Sequence, residues 1–571
     1  MSSGRRRLTR FRPGFFIPAF ILAGSLPIQA EDPVGPFFDL GPRDGRVSRL
    51  LERMSDEEIV AQVFLVGWPS DEPSEEILEW IRTRNLGGVK VFGWNAGNLN
   101  RLAETIGVLQ ETALQTDLSV PLLTATDQEG GWVRHVKGDT AVTPGNMAIG
   151  ASGLPYDAYK TGYYIGRELR ALGINMNFAP TVDVYRNPEA HVIGPRAFGS
   201  DPVAAGVLGG AYMRGLEEAR VITTAKHFPG HGNAEGDSHG TLPVLDASMQ
   251  ELWDHDLVPY RLLIAEGLPA VLSGHLSFPS VTGNLAPASV SAHFKQGVLR
   301  RRLGFDGLVI TDDLHMGGAV QYAARENKSF ADLCLEALRA GSDMILLGET
   351  PELNGEIWQT VMNEYRTNDA FRRQLRRSVE RILSLKLRYL APEDRVPLIP
   401  EVAEVERRIP DPEGEAFFRD QAHRSATIVG DRNLPLELGR GEGVLLVGKD
   451  PDFLRIGSQF YPEANTLRIR GGSFYEAPAG AAQQFVRTAE SYETVIYCLS
   501  DPATLSILRA AEGLSPRISV VSILTPVYLR ETPWIDNAVA VYGWGPESLE
   551  AAYAVLRGDI DAEGRLPVEI E

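Results

Sequence analysis

The alternation of short apolar runs with longer helical patterns, from residue 55 to about residue 390, constrains the fold of this chain more than any other feature. Most of the runs are continuously apolar, as expected for parallel strands that are buried on both faces. Eight such units, separated by long segments, predict an α/β fold of the (β/α)8 TIM-barrel type with some enlarged loops. The runs are QVFLVG (62–67), LGGVKVF (86–92), PLLTATD (121–127), INMNFAP (174–180), VITTAKHF (221–228), AVLSGHL (270–276), GLVITDD (307–313) and GSDMILLG (341–348).

Polar residues occur at one recurring place in these runs. Each lies at the carboxyl end of its run, and in a barrel those ends converge on one face, where active sites are built. Polar residues scattered by chance would not coincide in this way. The sequence therefore predicts a functional site at this face, formed by Asp127, Lys226, His227, His275 and Asp312.

The length of the chain predicts more than one folded unit, because 571 residues exceed an ordinary domain. We assign residues 36–390 to the barrel, which a last amphipathic helix closes. Residues 391–415 are rich in proline and charge and are predicted to be a linker. Residues 416–571 contain four further apolar runs between helical stretches, which predict a smaller αβα sandwich domain.

The first thirty residues differ in character from the rest. Five arginines precede the apolar run Phe15–Ile28, which ends at Gln29-Ala30 before two acidic residues. This order is typical of a secretion signal, and the run is short for a membrane-spanning helix, which needs about 20 apolar residues. We predict that residues 1–30 direct export to the periplasm or the cell exterior; an uncleaved membrane anchor is the alternative.

The charge and the cysteines limit the partners and the redox chemistry. The formal net charge of −19 argues against nucleic acid and anionic membranes as partners. Cys334 and Cys498 lie far apart in apolar stretches, so buried free thiols are predicted in preference to a disulfide.

The segment AKHFPGHGNAEGDSHG (225–240) carries the most chemical information in the chain. It leaves a strand at Lys226-His227 and becomes a loop with four glycines, which favours a segment able to close over a ligand. Asp237 stands two residues before His239, and such an aspartate can accept the imidazole N–H and stabilise the cation. A solvated loop with incidental polar residues is the alternative interpretation.

The combination KHFPGHG, four residues and then DSH resembles the signature of bacterial β-N-acetylglucosaminidases in family 3 of the glycoside hydrolases. The order and spacing of further motifs are similar throughout residues 50–390, and SATIVGD (425–431) resembles the second domain of two-domain members. The resemblance implies a barrel followed by an αβα domain. It also implies an exo-acting, retaining release of terminal β-linked GlcNAc from peptidoglycan fragments or chitooligosaccharides, without cofactor or metal. The further motifs are DQEGG (127–131), NFAPTVDV (177–184), IGPRAFGSD (193–201) and VITDDLHMGGA (309–319).

The resemblance also implies roles for single residues. Asp312 matches the nucleophile that forms a glycosyl-enzyme, His239 the unusual acid/base, and Asp237 the partner that orients the imidazole. A retaining glycosidase needs such a carboxylate and a nearby proton donor. Strand alternation places Asp312 and Asp313 on opposite faces, and the motif favours Asp312 as the residue that enters the barrel mouth. The residues that match those holding the hydroxyls of the terminal sugar are Asp127, Arg196, Lys226 and His227.

Two positions depart from the family pattern. Family members usually place an arginine eight residues after the aspartate of DQEGG; here that position is His135, and Arg134 stands one residue earlier. Neither residue can be assigned from the sequence. Asn233 replaces the acidic residue that follows HG in the family.

Other functions are alternatives to this one. A zinc hydrolase with His227, His231, Asp237 and His239 as ligands is disfavoured because it leaves the TDD motif without a role. A sugar-binding protein with an inactive site is disfavoured because the three catalytic residues are present. A β-glucosidase of the same family is disfavoured because such enzymes lack the DSH loop. Phosphorolysis stays open, since an imidazole in place of a second carboxylate leaves the site less anionic and open to phosphate.

Overall fold

The computed structural model describes residues 35–39, 45–431 and 434–570. The predicted secretion signal at residues 1–30 lies outside the described residues. Within those ranges, no helix is both long enough and apolar enough to cross a bilayer.

All eight predicted runs contain a strand of one parallel sheet. Along the sheet the order of the strands is β8-β1-β2-β3-β4-β5-β6-β7, and a bridge between Ile310 and Met344 links β7 to the segment that enters β8. The sheet is thus a nearly closed barrel, which confirms the predicted fold class. The strands are β1 (Phe64–Val66), β2 (Gly88–Val91), β3 (Leu123–Thr126), β4 (Met176–Asn177), β5 (Ile222–Phe228), β6 (Ala270–Ser273), β7 (Leu308–Thr311) and β8 (Ile345–Leu347).

The barrel strands are buried along their whole length because side chains fill the interior and helices cover the outside. Close packing also selects a glycine. A Cβ added to Gly88 on β2 would lie 2.6 Å from the carbonyl oxygen of Leu123 on β3. A side chain there would therefore force the two strands apart.

The helices of the barrel region surround the sheet. Several begin after a serine or asparagine whose side chain caps the helix. Ser55 and Glu58 form a capping box at the start of the helix Asp56–Ala61. The long closing helix buries Phe371, Leu375 and Val379 along one face. The helices are Pro36–Asp39, Arg46–Arg53, Asp56–Ala61, Glu75–Arg84, Leu99–Leu114, Asn146–Ser152, Pro155–Ala171, Pro202–Glu218, Met249–Asp254, Leu257–Ala265, Pro279–Thr282, the π-helix His293–Arg302, Gly317–Arg325, Phe330–Arg339, Glu356–Thr367 and Asp369–Leu390.

The predicted linker, residues 391–415, lies on the surface of the barrel and has structure of its own. It contains the helix Val402–Arg408, and the next helix, Pro412–Ser425, begins within it. Val396 and Val405 are buried in the hydrophobic core of the barrel. This contact fixes the path of the chain between its two halves.

The second half forms a six-stranded sheet in the order β9-β14-β13-β12-β10-β11. Five strands are parallel and β9 pairs antiparallel with β14 at one edge. Helices on both faces complete an αβα sandwich. The strands are β9 (Thr427–Asp431), β10 (Val444–Gly448), β11 (Asn465–Arg468), β12 (Thr494–Leu499), β13 (Arg517–Ser522) and β14 (Asn537–Ala540), and the helices are Pro451–Phe460, Ala481–Ala489, Pro502–Arg509 and Pro546–Arg557.

The second domain packs on the loops at the carboxyl ends of β3 and β4. Tyr185 and Ile193 from the barrel loops share a hydrophobic cluster with Val447 and Tyr528 of the sandwich. An ion pair of 2.7 Å joins the Glu189 carboxylate to Arg530. The two domains therefore meet at the end of the barrel that carries the polar residues. Both cysteines, Cys334 and Cys498, are buried free thiols, as predicted.

Candidate active site

Two buried lysines hold the carboxylate of Asp127 at the end of β3. The ammonium of Lys226, on β5, lies 2.5 Å from Asp127 Oδ1, and that of Lys90, on β2, lies 2.7 Å from Oδ2. Both lysine side chains are buried, whereas Asp127 keeps 17% of its side-chain surface exposed. The two lysines therefore fix the orientation of the Asp127 carboxylate, while part of its surface stays accessible.

Glu129 extends this group of charges. Its carboxylate accepts two hydrogen bonds from Arg196, at 2.9 and 2.8 Å, and lies 2.5 Å from the ammonium of Lys226. We call the set Lys90, Asp127, Glu129, Arg196 and Lys226 the buried charge network. Arg196 and Lys226 are thus occupied by Glu129 and Asp127; within the described ranges neither has a hydrogen bond to Asp312.

The network fixes its carboxylates in the ionised form. Burial alone raises the pKa of Asp127, but Lys226 and Lys90 outweigh it and hold that pKa well below its usual range. In Glu129 the opposing effect of Arg196 and Lys226 lowers the pKa to about 2 despite burial. Both carboxylates are therefore ionised hydrogen-bond acceptors at neutral pH.

His227 is oriented by groups on both sides of its ring. Its Nδ1 lies 2.7 Å from Asp183 Oδ2, and its Nε2 lies 3.1 Å from Nη2 of Arg196. Because an arginine can only donate, Nε2 accepts and Nδ1 carries the proton. The main-chain N–H of His231 also donates to Asp183, at 2.7 Å. Asp183 thereby connects β5 to the loop that follows it.

Asp312 and Asp313 point to different surroundings, as alternation predicts. The carboxylate of Asp313 accepts the main-chain N–H groups of His315 and Gly348, at 3.0 and 2.9 Å. Asp312 Oδ1 accepts only the N–H of Asp313, at 2.9 Å, and its Oδ2 has no hydrogen bond to any residue of the described ranges. Asp312 is therefore the carboxylate with an oxygen free to react.

His275 supports the main chain around Asp312. It is buried, with Nε2 2.9 Å from the carbonyl oxygen of Asp313 and Nδ1 2.7 Å from the hydroxyl of Ser289. Both ring nitrogens are thus engaged in hydrogen bonds. His275 is one of the polar residues that the sequence places at a strand end, and its contacts position Asp313.

The proton-donor candidate lies on an exposed loop, residues 233–241, which we call the flap. His239 Nδ1 lies 2.7 Å from Asp237 Oδ1, which also accepts the main-chain N–H of His239 at 2.9 Å. The hydrogen bond to Asp237 raises the pKa of His239, burial opposes this, and the charge of Asp312 adds to the rise. The protonated form of the imidazole is therefore stabilised relative to that of an isolated histidine.

Two glycines bind the flap to the segment that follows Asp312 through main-chain hydrogen bonds. The N–H of Gly317 donates to the carbonyl of His239 at 2.9 Å, and that of Gly318 donates to the carbonyl of Ser238 at 3.0 Å. A Cβ on Gly317 would lie 2.7 Å from the same His239 oxygen. The close approach therefore requires glycine, and it ties the flap to the chain that carries Asp312.

The structure separates the two residues that the sequence left unassigned. His135 Nδ1 lies 3.1 Å from the ammonium of Lys90, and burial together with Lys90 lowers the pKa of His135 to about 4. Arg134 turns away and donates to the carbonyl of Thr140 at 3.3 Å. A neutral His135 thus borders the buried charge network, and Arg134 does not.

Sequence reasoning missed three members of the site: Lys90, Glu129 and Asp183. The signal for Lys90 was a lysine in the middle of an otherwise apolar run, LGGVKVF, where a charge costs free energy unless it is paired. Glu129 and Asp183 stand inside the quoted motifs DQEGG and NFAPTVDV, yet only contact with Arg196 and His227 distinguishes them from other loop acids.

The four candidate zinc ligands each make side-chain hydrogen bonds to other residues. Both ring nitrogens of His227 are engaged, and His231 Nε2 lies 3.3 Å from the hydroxyl of Ser238. In the part of the chain that the structure describes, no group of three or more His, Cys, Asp or Glu side chains has the arrangement of a metal site. The site contains a carboxylate with a free oxygen, an imidazole whose pKa is raised, and a set of fixed charges.

Comparison with known proteins connects this geometry to a family. The model of the glycosyl hydrolase family 3 N-terminal domain matches residues 54–385, which is more than half of the chain. Beta-hexosaminidase A of Pseudoalteromonas piscicida is 33% identical over 54% of this chain, and the chain spans only 55% of the length of that relative. A beta-hexosaminidase of Thiobacillus denitrificans is 37% identical over 48% of this chain and 74% of its own length.

Two further relatives match both domains. A protein of Cellulomonas fimi named beta-N-acetylglucosaminidase/beta-glucosidase is 29% identical over 92% of this chain and 95% of its own length. The solved structure of a family 3 beta-N-acetylglucosaminidase from a Paenibacillus species has a TM-score of 0.79 and 28% identity, and the match covers 90% of this chain and 99% of that one. From the match of its barrel to the family model, the chain belongs to glycosyl hydrolase family 3.

Proposed function

We propose that this family 3 glycoside hydrolase is an exo-acting, retaining β-N-acetylglucosaminidase. One observation carries the proposal. Asp312 has a free carboxylate oxygen, and His239 is held by a hydrogen bond to Asp237 that raises the pKa of the imidazole. A nucleophile together with a proton donor is what double displacement at an anomeric carbon requires. The names of the relatives, which include beta-hexosaminidase and beta-N-acetylglucosaminidase, support the choice of sugar.

In the first step Asp312 Oδ2 attacks the anomeric carbon as its bond to the leaving oxygen breaks. The imidazolium of His239 gives its proton to that oxygen, which yields a glycosyl ester on Asp312 and a neutral imidazole. In the second step His239 takes a proton from water, and the water oxygen displaces Asp312. Two inversions retain the β configuration, and His239 is protonated again.

The buried charge network supplies the pocket for the sugar that is released. Asp127 offers carboxylate acceptors on its exposed side, and Lys90 and Lys226 hold it in one orientation. Because these charges are fixed before the substrate arrives, little reorganisation accompanies binding. A pocket closed below by buried charges favours the terminal sugar of a chain, which supports exo action.

Two other reactions of the same site carry support of their own. The Cellulomonas relative has beta-glucosidase in its name and matches both domains, so release of glucose is the second candidate. Phosphorolysis is the third, since His239 in place of a second carboxylate leaves room for an anionic acceptor. A solved beta-glucoside phosphorylase shares the fold at 23% identity and a TM-score of 0.76, which is a likeness of fold alone.

The decisive experiment compares p-nitrophenyl β-GlcNAc with p-nitrophenyl β-glucoside, each with and without phosphate, and identifies the released sugar. We expect free GlcNAc with its β anomer formed first, and the same product in phosphate. A sugar 1-phosphate would establish phosphorolysis, and faster release of glucose would overturn the substrate assignment.

The nucleophile is tested in the same assay. Asp312→Ala should reduce turnover by roughly 10⁴-fold or more, because no covalent intermediate can form. Asp306→Ala is the matched control, since Asp306 is exposed in the loop before the same strand and should leave turnover unchanged. Substantial activity in Asp312→Ala would contradict the mechanism.

We also propose that the protein is exported and acts on peptidoglycan fragments or chitooligosaccharides. The basic and apolar pattern of residues 1–30 supports export. Sequencing the N-terminus of the protein recovered from each cell fraction tests this. Recovery only from the cytosol, with the segment intact, would count against it.

A further inference from the structure

Ser238 is a buried residue on the exposed flap. It is only 4% exposed, whereas the side chains of Asp237 and His239, on either side of it, are 46% and 66% exposed. Burial of a polar side chain costs free energy unless the side chain is hydrogen-bonded. The contacts of Ser238 therefore show where the flap is held.

Ser238 contacts two different segments of the barrel. Its carbonyl accepts the N–H of Gly318, at 3.0 Å, and its hydroxyl oxygen lies 3.3 Å from Nε2 of His231. The first contact joins the flap to the segment that follows Asp312. The second is made by a side chain and joins the flap to the loop that follows β5.

His231 is fixed by its surroundings. It is 2% exposed, its main-chain N–H donates to Asp183 Oδ1 at 2.7 Å, and its ring packs edge-on against that of His227, with centroids 5.7 Å apart. The next residue, Gly232, lies so close to Val184 that a Cβ would overlap the carbonyl oxygen of Val184. The base of the flap is therefore packed against the loop that follows β4.

The ring of His231 has Ser238 as its hydrogen-bond partner. Its Nδ1 is buried and has no hydrogen bond to any of the described residues. Burial together with the neighbouring His227 lowers the pKa of His231 to about 4, so the ring is neutral. A neutral imidazole has one donor and one acceptor nitrogen, and a hydroxyl can pair with either. Removal of the Ser238 hydroxyl would therefore leave Nε2 without this bond.

A continuous series of hydrogen bonds joins the buried charge network to the flap. Nε2 of His227 lies 3.1 Å from an arginine of the network, and its Nδ1 lies 2.7 Å from Asp183. The other oxygen of Asp183 accepts the N–H of His231, whose ring contacts Ser238. Ser238 directly precedes His239 in the chain. The position of His239 is thus connected to that of the network.

We propose that His231 and Ser238 are positioning residues, which hold the flap at a fixed place relative to the buried charge network and so align His239 with the leaving oxygen. The inference rests on the proposed function, in which His239 is the acid and the network binds the terminal sugar. Proton transfer needs the donor within hydrogen-bond reach of the acceptor, so a small displacement of the flap lowers the rate. Both side chains are buried and act through His239.

The test compares chitobiose (N,N′-diacetylchitobiose), whose leaving group needs a proton, with p-nitrophenyl β-GlcNAc, whose leaving group does not. In Ser238→Ala, kcat/KM for chitobiose should fall roughly tenfold, and the value for the aryl glycoside should stay within about twofold. Ser425→Ala is the matched control, since Ser425 is also buried and its hydroxyl donates to the carbonyl of Ala422, at 3.1 Å, within its own helix. Equal losses on both substrates, or no loss on either, would overturn the inference.

Two variants of His231 separate the hydrogen bond from packing. His231→Leu fills a similar volume without a polar atom, and His231→Gln keeps an amide that can reach the Ser238 hydroxyl; both keep the main-chain bond to Asp183. On chitobiose, kcat/KM should fall about tenfold in His231→Leu and about threefold or less in His231→Gln. Equal losses in the two variants would show that the ring acts by packing alone and would contradict the proposal.

Hydrogen exchange at the flap requires no turnover. The N–H groups of Gly317 and Gly318 are bonded to flap carbonyls, so their exchange should be severalfold faster in Ser238→Ala and unchanged in Ser425→Ala. Unchanged exchange in Ser238→Ala would count against the proposal. If the wild type cleaves neither substrate, the proposed function fails, while faster exchange in Ser238→Ala still supports Ser238 as a residue that holds the flap.

Discussion

The buried charge network and the flap differ in almost every physical property, although the proposed function places both against the same sugar. In the network, Lys90 and Glu129 have side chains only 1% exposed, whereas on the flap His239 is 66% and Asp237 46% exposed. The network is held by interlocking ion pairs between two strands and the loops at the end of the barrel. The flap is held by a few main-chain hydrogen bonds. The proposed function thus assigns sugar binding to a rigid group and proton transfer to an exposed one.

The electrostatic consequences also differ. In the network, burial is outweighed by several opposite charges, and the pKa of each of its carboxylates is lowered, so their charge is constant at working pH. On the flap a single hydrogen bond dominates and raises the pKa of His239, so its charge can change. A fixed charge suits recognition, and a titratable group suits catalysis.

Among the variants that test this difference, His239→Ala should lose the most activity. Removing a general acid costs about 10² to 10⁴-fold on substrates with poor leaving groups and little on activated ones. The measurement compares chitobiose with p-nitrophenyl β-GlcNAc. His293→Ala, at an exposed helical position, serves as the control. Equal losses on both substrates would remove His239 from the role of acid.

A smaller but general effect is expected from Lys90→Met. Asp127 would keep Lys226 alone, so its orientation would be less well fixed, and kcat/KM should fall roughly 10- to 100-fold on all substrates. The free energy of unfolding should fall by about 3 kcal/mol, because a buried ion pair is broken on one side.

The matched control for Lys90→Met is Lys386→Met. Lys386 is also fully buried, and among the described residues its ammonium bonds only to Gln62 Oε1, at 2.9 Å. Burial lowers the pKa of Lys386 to about 7, so its charge contributes little. Activity should be unchanged in that variant. Similar activity in Lys90→Met and wild type would show that Asp127 needs only one lysine.

Gly317→Ala tests how strictly activity depends on the position of the flap. The added Cβ would overlap the carbonyls of His239 and Gly240 at 2.7 Å, so the flap must shift, and kcat should fall about tenfold on chitobiose. Gly297→Ala is the control, since its Cβ would meet only Arg301 Nη2 at 3.5 Å. Unchanged kcat would indicate that the flap tolerates displacement.

The smallest expected effect is a shift in pH dependence in Asp237→Asn. Because Asp237 raises the pKa of His239, wild-type activity persists as pH rises until the raised pKa is passed and the acid form is lost. Without the carboxylate that pKa falls, so the alkaline limb of kcat/KM on chitobiose should move to lower pH. An alkaline limb at the same pH would assign it to another group.

The sequence predicted the barrel well because its strands are buried on both faces and read as uninterrupted apolar runs. It predicted four strands of the second domain and missed two. Strand β11, NTLR, lies at an edge with mostly exposed side chains, and β9, within SATIVGD, was recognised only by resemblance. Edge strands carry little apolar signal because only one neighbour covers them.

The same reasoning explains what was predictable in the site. Asp237 and His239 are two residues apart, so their contact is local and can be inferred from the sequence. The contacts of Lys90 with Asp127, and of Glu129 with Arg196, join residues far apart in the chain, and only the closed barrel brings them together. Long-range ion pairs are products of topology, which no local pattern encodes.

The two hydrogen bonds that hold the flap next to Asp312 have a consequence for engineering within this family. Since Gly317 and Gly318 bond to the flap and Asp312 lies a few residues earlier, one short stretch of chain sets the spacing of the proposed nucleophile and the proposed acid. Grafting a foreign acid-bearing loop alone should leave the two groups misaligned. A functional graft has to carry residues 312–318 along with it, as a single cassette.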